Sequence, residues 1–201
     1  MTSDQPTLYF DYNSPYVYLA ISRIDELIPD ATWKPIAYPI LLHKQGRLEE
    51  VMSRDRTAAL AEAGRRAEAR GLPLLNLPEG FPNETWSFAP LRAGVFADEQ
   101  GRLREFSHAI LRKLFVEGRP LSDLENVLEA AREAGLDPSE VASAIERPDI
   151  KERLKQSTDE ALKVGVSGIP TVAVGDRRFW GDDHLEEAAA AAGERVAGFN
   201  A

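Results

Sequence analysis

The chain has 201 residues, with 33 acidic against 24 basic side chains, a net charge of −9 and no cysteine. That length suits one domain, or one domain carrying a large insertion, and it buries enough surface to need no disulfide or metal staple. The acidic balance disfavours nucleic acid and anionic membrane as partners, and the missing cysteines exclude a cysteine nucleophile, a protein disulfide and a thiolate metal site.

The start, MTSDQPTLYF, lacks a basic segment followed by an apolar core, and no apolar run nears the roughly 18 residues of a membrane-spanning helix, so the expected setting is the cytoplasm. TLYFDY, residues 7–12, is aromatic-rich and alternating, which reads as a strand. Residues 15–28 read as a helix with Tyr16, Leu19, Ala20, Ile24 and Leu27 on one face, stopped by Pro29. ATWKPIAYPI, residues 31–40, reads as a second strand, and Pro35 assigns it to a sheet edge because proline cannot donate to a ladder.

From about residue 43 the period turns helical. SRDRTAALAEAGRRAEARG is Ala-rich and ends at Gly71; its Arg/Glu-rich part at 62–70 reads as a solvated face. LPLLNLPEGFPNETWSFAP is Pro-rich and must be irregular. Helices are expected over 89–100 and 103–116, the second with an apolar stripe of Phe106, Ile110 and Leu114. LSDLENVLEAAREAG carries a capping box, Ser122 with Glu125, and ends at Gly135. DPSEVASAI has Asp137 as N-cap, Pro138 at N1 and Glu140 at N3. A further helix covers about 149–164. The period then changes back: GIPTVAVGDRRFWG reads as a β-hairpin over 171–180, and DDHLEEAAAAAG as a closing helix. The chain shows no internal repeat and no second core. The predicted class is α/β, with residues 1–42 and 166–201 forming one sheet domain and residues 43–165 an inserted all-helical domain over it.

Two end motifs carry the chemistry. FDYNSPYVYLA ends a strand and opens a helix with Ser14-Pro15, which by itself is a good N-cap followed by Pro at N1. GVSGIPTVAVGDRRFWGDDHLEE holds the second feature. Together, in this order, they resemble the thioredoxin fold with a helical insertion. The chain is similar to the DsbA-like family, and within it to the branch of 2-hydroxychromene-2-carboxylate isomerases and kappa-class glutathione transferases. The resemblance spans roughly residues 7–192, specific at the ends and only compositional in the middle.

Redox members of that superfamily place a cysteine at the first helix's N-terminus, where the helix dipole and free N–H groups lower its pKa. Here that position is Ser14, and the second cysteine's position is Val17. The resemblance implies a chain that does not exchange disulfides, in which Ser14 donates a hydrogen bond to the thiolate of bound glutathione or another low-molecular-weight thiol. No base stands beside Ser14 in the sequence, so it is not read as a nucleophile. The resemblance also implies that Ile169-Pro170 is a cis bond beside that helix N-terminus, leaving the Ile169 N–H and C=O to pair with the backbone of a thiol ligand; read alone, the proline is an ordinary trans residue starting a strand. In FWGDDHL, Asp183 matches the aspartate that binds the γ-glutamyl amine, and His184 the usual basic residue. Asp182 or Asp183 with Glu186 also makes a capping box.

The middle departs from the branch. The usual Asn after the second strand, and the Lys or Tyr in the first insert helix, are absent from YPILLHKQGRLEE and MSRDRTAALAEAG. FPNETWSFAPLRA keeps Phe81-Pro82 but puts Trp86 near the expected Asn, with Asn83 usable only if the loop shifts. Tyr16 and Trp86 are the candidates for the aromatic side of the electrophile pocket. His43, His108 and His184 are scattered, so no metal site is expected. The implied function is a thiol-dependent isomerase or transferase acting on a small, electrophilic, aromatic-derived substrate. Ser14 is its catalytic residue, and Ile169, Pro170, Asp183, His184, Tyr16 and Trp86 bind ligand. The alternative is a redox-inactive DsbA-like protein holding peptides or partner chains beside Pro170. Homodimerisation stays open.

Overall fold

β1 (Thr7–Phe10) is buried along its whole length, on both faces and not on one as its alternation suggested, because it is a central strand. It pairs in parallel with β2 (Thr32–Pro35) and antiparallel with β3 (Thr171–Val174), which pairs antiparallel with β4 (Arg177–Trp180); the order is β2-β1-β3-β4. The computed structural model describes residues 5–82 and 85–199, with side chains up to residue 194. β2 is the edge strand, where the missing N–H of Pro35 costs no ladder bond.

The expected strand over 31–40 ends at Pro35, and Tyr38–Lys44 forms α2 after α1 (Pro15–Leu27). Pro39 sits in the first turn of α2, where a missing donor is harmless. The Tyr38 N–H, another orphan of that turn, donates to Asp11 Oδ2 at 3.0 Å. α1 is buried more broadly than the single-face reading: Val17, Tyr18 and Ile21 are enclosed, while Tyr16 and Leu27 are half-buried. The helix is enclosed because it packs on α6 and α4 of the insertion and on α10 of the sheet domain.

The insertion supplies α3 (Leu48–Met52), α4 (Thr57–Ala69), α5 (Phe88–Glu99), α6 (Leu103–Phe115), α7 (Leu124–Glu133), α8 (Pro138–Glu146) and α9 (Pro148–Lys163). Among the described residues no strand lies within 43–165, and the 42/43 boundary falls inside α2. A 3-10 turn, Asp182–His184, leads into α10 (Leu185–Phe199). α7 is capped by Asp123, whose carboxylate accepts from Glu125 N at 3.0 Å, and not by Ser122 as the capping box suggested. A carboxylate one residue nearer the first turn wins over the hydroxyl through its charge. Asp137 caps α8, accepting from Ser139 N at 2.8 Å.

One apolar cluster runs from the sheet into the insertion. Phe106, Ile110 and Leu114 are fully enclosed in it. Tyr12 meets Phe10 and Phe106 edge-to-face at 5.4 and 6.0 Å, and its hydroxyl lies 2.9 Å from Ser107 Oγ. Asp11, beside it, is buried and accepts from Asn13 N at 3.1 Å, from Tyr38 N and from the Ser87 hydroxyl.

Two predictions arise from this core. A Cβ on Gly94 of α5 would stand 2.6 Å from the Tyr12 hydroxyl oxygen. Gly94→Ala should therefore cost about 1–3 kcal/mol in urea unfolding. Removing that oxygen with Tyr12→Phe should make the double variant less destabilised than the sum; strictly additive costs would contradict the contact. The second concerns Asp11, whose carboxyl burial pushes above its ordinary value, against the Ser87, Asn13 and Tyr38 hydrogen bonds. The native state then holds this proton to higher pH than the unfolded chain, so this contribution to stability is lost as pH rises through the window above about 4. Asp11→Asn should gain on the wild type as pH rises above about 4, and parallel pH–stability curves would contradict it.

Candidate active site

The chain leaves β1 at Phe10 and reaches α1 through four residues, Asp11 to Ser14. Ser14 has extended backbone angles, φ −140° and ψ 124°, and its carbonyl accepts from Val17 N at 3.0 Å and Tyr18 N at 3.3 Å. It occupies the N-cap position, but its hydroxyl makes no cap hydrogen bond. The first turn of α1 holds no acidic residue, so nothing in that turn neutralises the helix's positive end.

The Ile169–Pro170 peptide bond is cis, and the sheet ladder begins only at Thr171. Pro170 is held by its carbonyl, which accepts from Gly181 N at 2.9 Å. Ser14 and Ile169 line one cavity of about 350 Å³ together with Tyr16, Trp86 and Trp180. The two tryptophans are more than half exposed, at 58% and 59%. Trp180 lies against Gly168: a Cβ there would stand 2.4 Å from the indole nitrogen, so only glycine admits this approach. Tyr16 is oriented by its hydroxyl, which donates to the Ala59 carbonyl at 3.0 Å.

The loop before α5 is pinned across the cavity by Asn13. Its amide donates to the Pro82 and Thr85 carbonyls at 3.1 and 2.8 Å, and the Thr85 hydroxyl donates back at 2.8 Å. A second cis bond, Phe81–Pro82, lies in the same loop. Asn83 lies outside the described residues.

Of the residues expected to bind ligand, Pro170, Asp183 and His184 are not part of the cavity lining. Asp183 is half exposed, 3.3 Å from His184 Nδ1 and 3.3 Å from Arg66 Nη1. Its neighbour Asp182 is fully buried and pairs with Arg66 at 2.9 Å and Arg70 at 2.7 Å. This corrects two expectations. The 62–70 segment is not simply a solvated face, because Arg66 and Arg70 hold Asp182 across the fold. Nor does Asp182 cap a helix: the 3-10 turn starts at Gly181 without a side-chain cap, and the Asp182 carboxylate is taken by arginines. The Arg66 guanidinium lies 5.7 Å from the Tyr16 ring centre and so links this cluster to the cavity.

Sequence reasoning passed over Asp11, Asn13 and Trp180. A carboxylate directly after a buried strand was the available signal for Asp11, since a charge placed there needs partners. Trp180 reads in sequence only as a strand aromatic, and nothing in the order of residues discloses that it folds back on Gly168.

Comparison with known proteins follows from this geometry. The model of the DSBA-like thioredoxin domain matches residues 7–192. A 2-hydroxychromene-2-carboxylate isomerase of Sphingobium xenophagum is 26% identical over 186 residues, covering 89% of this chain and 92% of that protein. One from Pseudomonas sp. (strain C18) is 26% identical over 185 residues, covering 88% and 84%. The solved structure of a 2-hydroxychromene-2-carboxylate isomerase superposes with a TM-score of 0.79 at 21% identity, covering 95% of both chains. A Pseudomonas aeruginosa DsbA shares the fold at a TM-score of 0.59 and 15% identity, covering 96% of this chain and 87% of that one. With its four-stranded mixed sheet, its helical insertion and a family match spanning nearly all of its length, the chain belongs to the DsbA-like thioredoxin domain family.

Proposed function

We propose that this chain is an isomerase that works with a low-molecular-weight thiol on a small electrophile of aromatic origin, with Ser14 steadying the ligand's thiolate. The observation that carries this reading is the Ser14 hydroxyl, which lines the cavity at the α1 N-terminus and is spent on no cap. The shared name of the three curated relatives, 2-hydroxychromene-2-carboxylate isomerase, supports an enzyme and an aromatic-derived substrate. The aromatic lining supplied by Tyr16, Trp86 and Trp180 supports the same substrate class.

The residues present fit the sulfur end of a thiol. The uncommitted hydroxyl of Ser14, the unneutralised end of α1 and the main chain of Ile169 border one cavity. When bound as the anion, the thiol supplies a nucleophile that can add to an electrophilic carbon and leave it again. Ser14 and the positive end of α1 lower the cost of holding that charge; each pKa unit of preference is worth about 1.4 kcal/mol. Ile169 offers main-chain groups for the ligand's own backbone, while Pro170, whose carbonyl is taken by Gly181 N, holds it in place. The aromatic side chains exclude water from the reacting carbon. Asp183 and His184 stand outside the lining, at the far side of Arg66. An ammonium group bound to Asp183 shares its carboxylate with that guanidinium, whereas an anionic end of the ligand meets Arg66 favourably. The proposed cofactor is therefore a thiol of this class, of which glutathione is one member.

The test is a pair of variants at one position. Ser14→Ala should lower kcat/KM by about 10- to 100-fold, the value of one hydrogen bond to a charged group, and leave residual turnover from the helix end. Ser14→Cys should form a mixed disulfide with the thiol, visible by mass spectrometry. Unchanged turnover in Ser14→Ala, or a covalent adduct on Ser14 itself during turnover, would overturn the reading.

A further inference from the structure

One side of the cavity is basic and has no role so far. Arg56, the residue before α4, lines it and is partly buried. Its guanidinium donates to the Val51 carbonyl at 3.3 Å and lies 3.6 Å from the Met52 sulfur. Among the described residues no carboxylate pairs with it, although acidic side chains outnumber basic ones by 33 to 24. Arg54, which also lines the cavity, is by contrast paired with Glu50. Arg47 likewise has only neutral partners, the Ser167 carbonyl at 2.8 Å and Gln45 Oε1 at 3.3 Å. The charges of Arg47, Arg54 and Arg56 all bear on the Tyr38 hydroxyl, and Tyr38 is itself a lining residue.

A partly desolvated cation without a counter-ion is costly, and burial holds the Arg56 pKa below its ordinary value. The two lining carboxylates do not relieve it. Asp11 is buried and engaged by Asn13, Tyr38 and Ser87, and Asp55 accepts from Thr57 N and Oγ1 at 2.9 and 2.7 Å. An anionic ligand would relieve it. A guanidinium is a planar fork matched to a carboxylate, and the exposed indoles of Trp86 and Trp180 line the same cavity.

We propose that Arg56 is the specificity-determining residue of this cavity, pairing with the carboxylate of a second substrate of the kind that the relatives' shared name carries. This rests on the reading of the cavity as the isomerase site and assigns the group that would hold the acid. Arg56 lies in the segment SRDRTAALAEAG, where the chain departs from the isomerase branch, so its role belongs to this chain's own sequence.

The experiment is calorimetric titration of the thiol-free protein with cinnamate and with its neutral isostere cinnamamide. The wild type should bind cinnamate at least about tenfold more tightly, the value of one charge-assisted contact. Arg56→Gln should erase that preference while leaving cinnamamide affinity unchanged, and Arg56→Lys should keep a reduced preference because an ammonium cannot bond in the bidentate manner. Equal affinity of the wild type for both probes overturns the proposal without any variant, and so does a full preference in Arg56→Gln or Arg56→Lys. Because no thiol is present, failure of the thiol reading is separable. A protein that prefers cinnamate yet behaves normally as Ser14→Ala keeps the Arg56 assignment and loses the Ser14 one.

Discussion

Asp11 is a carboxylate with almost no exposure, and three segments of the chain meet on it. It accepts from the N–H of Asn13 in the turn leading to Ser14, from the N–H of Tyr38 at the start of α2, and from the hydroxyl of Ser87 before α5. Each donor belongs to a different wall of the cavity. A buried carboxylate without such partners would be expensive, so the three donors and the charge specify one another. The position of Ser14, three residues further on, is thereby fixed relative to the helices that cover it.

Asn13 extends the same logic outward. Its side-chain amide is fully engaged by the loop at Pro82 and Thr85, so the turn that presents Ser14 also holds the covering loop in place. On the opposite side, Gly168 lets Trp180 lie against the main chain next to Ile169. The cavity is consequently built from short-range contacts to main chain, which fix geometry with little tolerance for added atoms. The site's electrical character comes from two sources on different elements: the free positive end of α1, and the arginines around Tyr38. Both favour an anion in a protein whose overall charge is −9.

Much of the fold was legible because its signals are local. The aromatic-rich β1, the Pro35 edge position, the Phe106–Ile110–Leu114 stripe, the Asp137 cap and the Gly-Asp hairpin each follow from neighbours within a few residues. The strand expected to reach residue 40 failed because its length was settled by Pro39 and by a carboxylate from another segment, which no local pattern reveals. The charged face at 62–70 failed for the same reason: Arg66 and Arg70 pair with Asp182, more than a hundred residues away. Within the candidate site, the motifs pointed to Ser14, Tyr16, Trp86 and Ile169, which share one cavity, and to Pro170, Asp183 and His184, which are not in its lining. Trp180 and Arg56 were invisible because each owes its place to long-range packing.

The central claim is that Ser14 and the α1 N-terminus hold a ligand sulfur as an anion. Its most direct measurement is the ultraviolet titration of bound thiolate absorbance in the wild type and in Ser14→Ala. The account predicts a bound-thiol pKa below that of the free thiol in the wild type, and a higher bound pKa in Ser14→Ala that still stays below the free value, because the helix end remains. A bound pKa equal to that of the free thiol, or one that does not move on removing the hydroxyl, would contradict it.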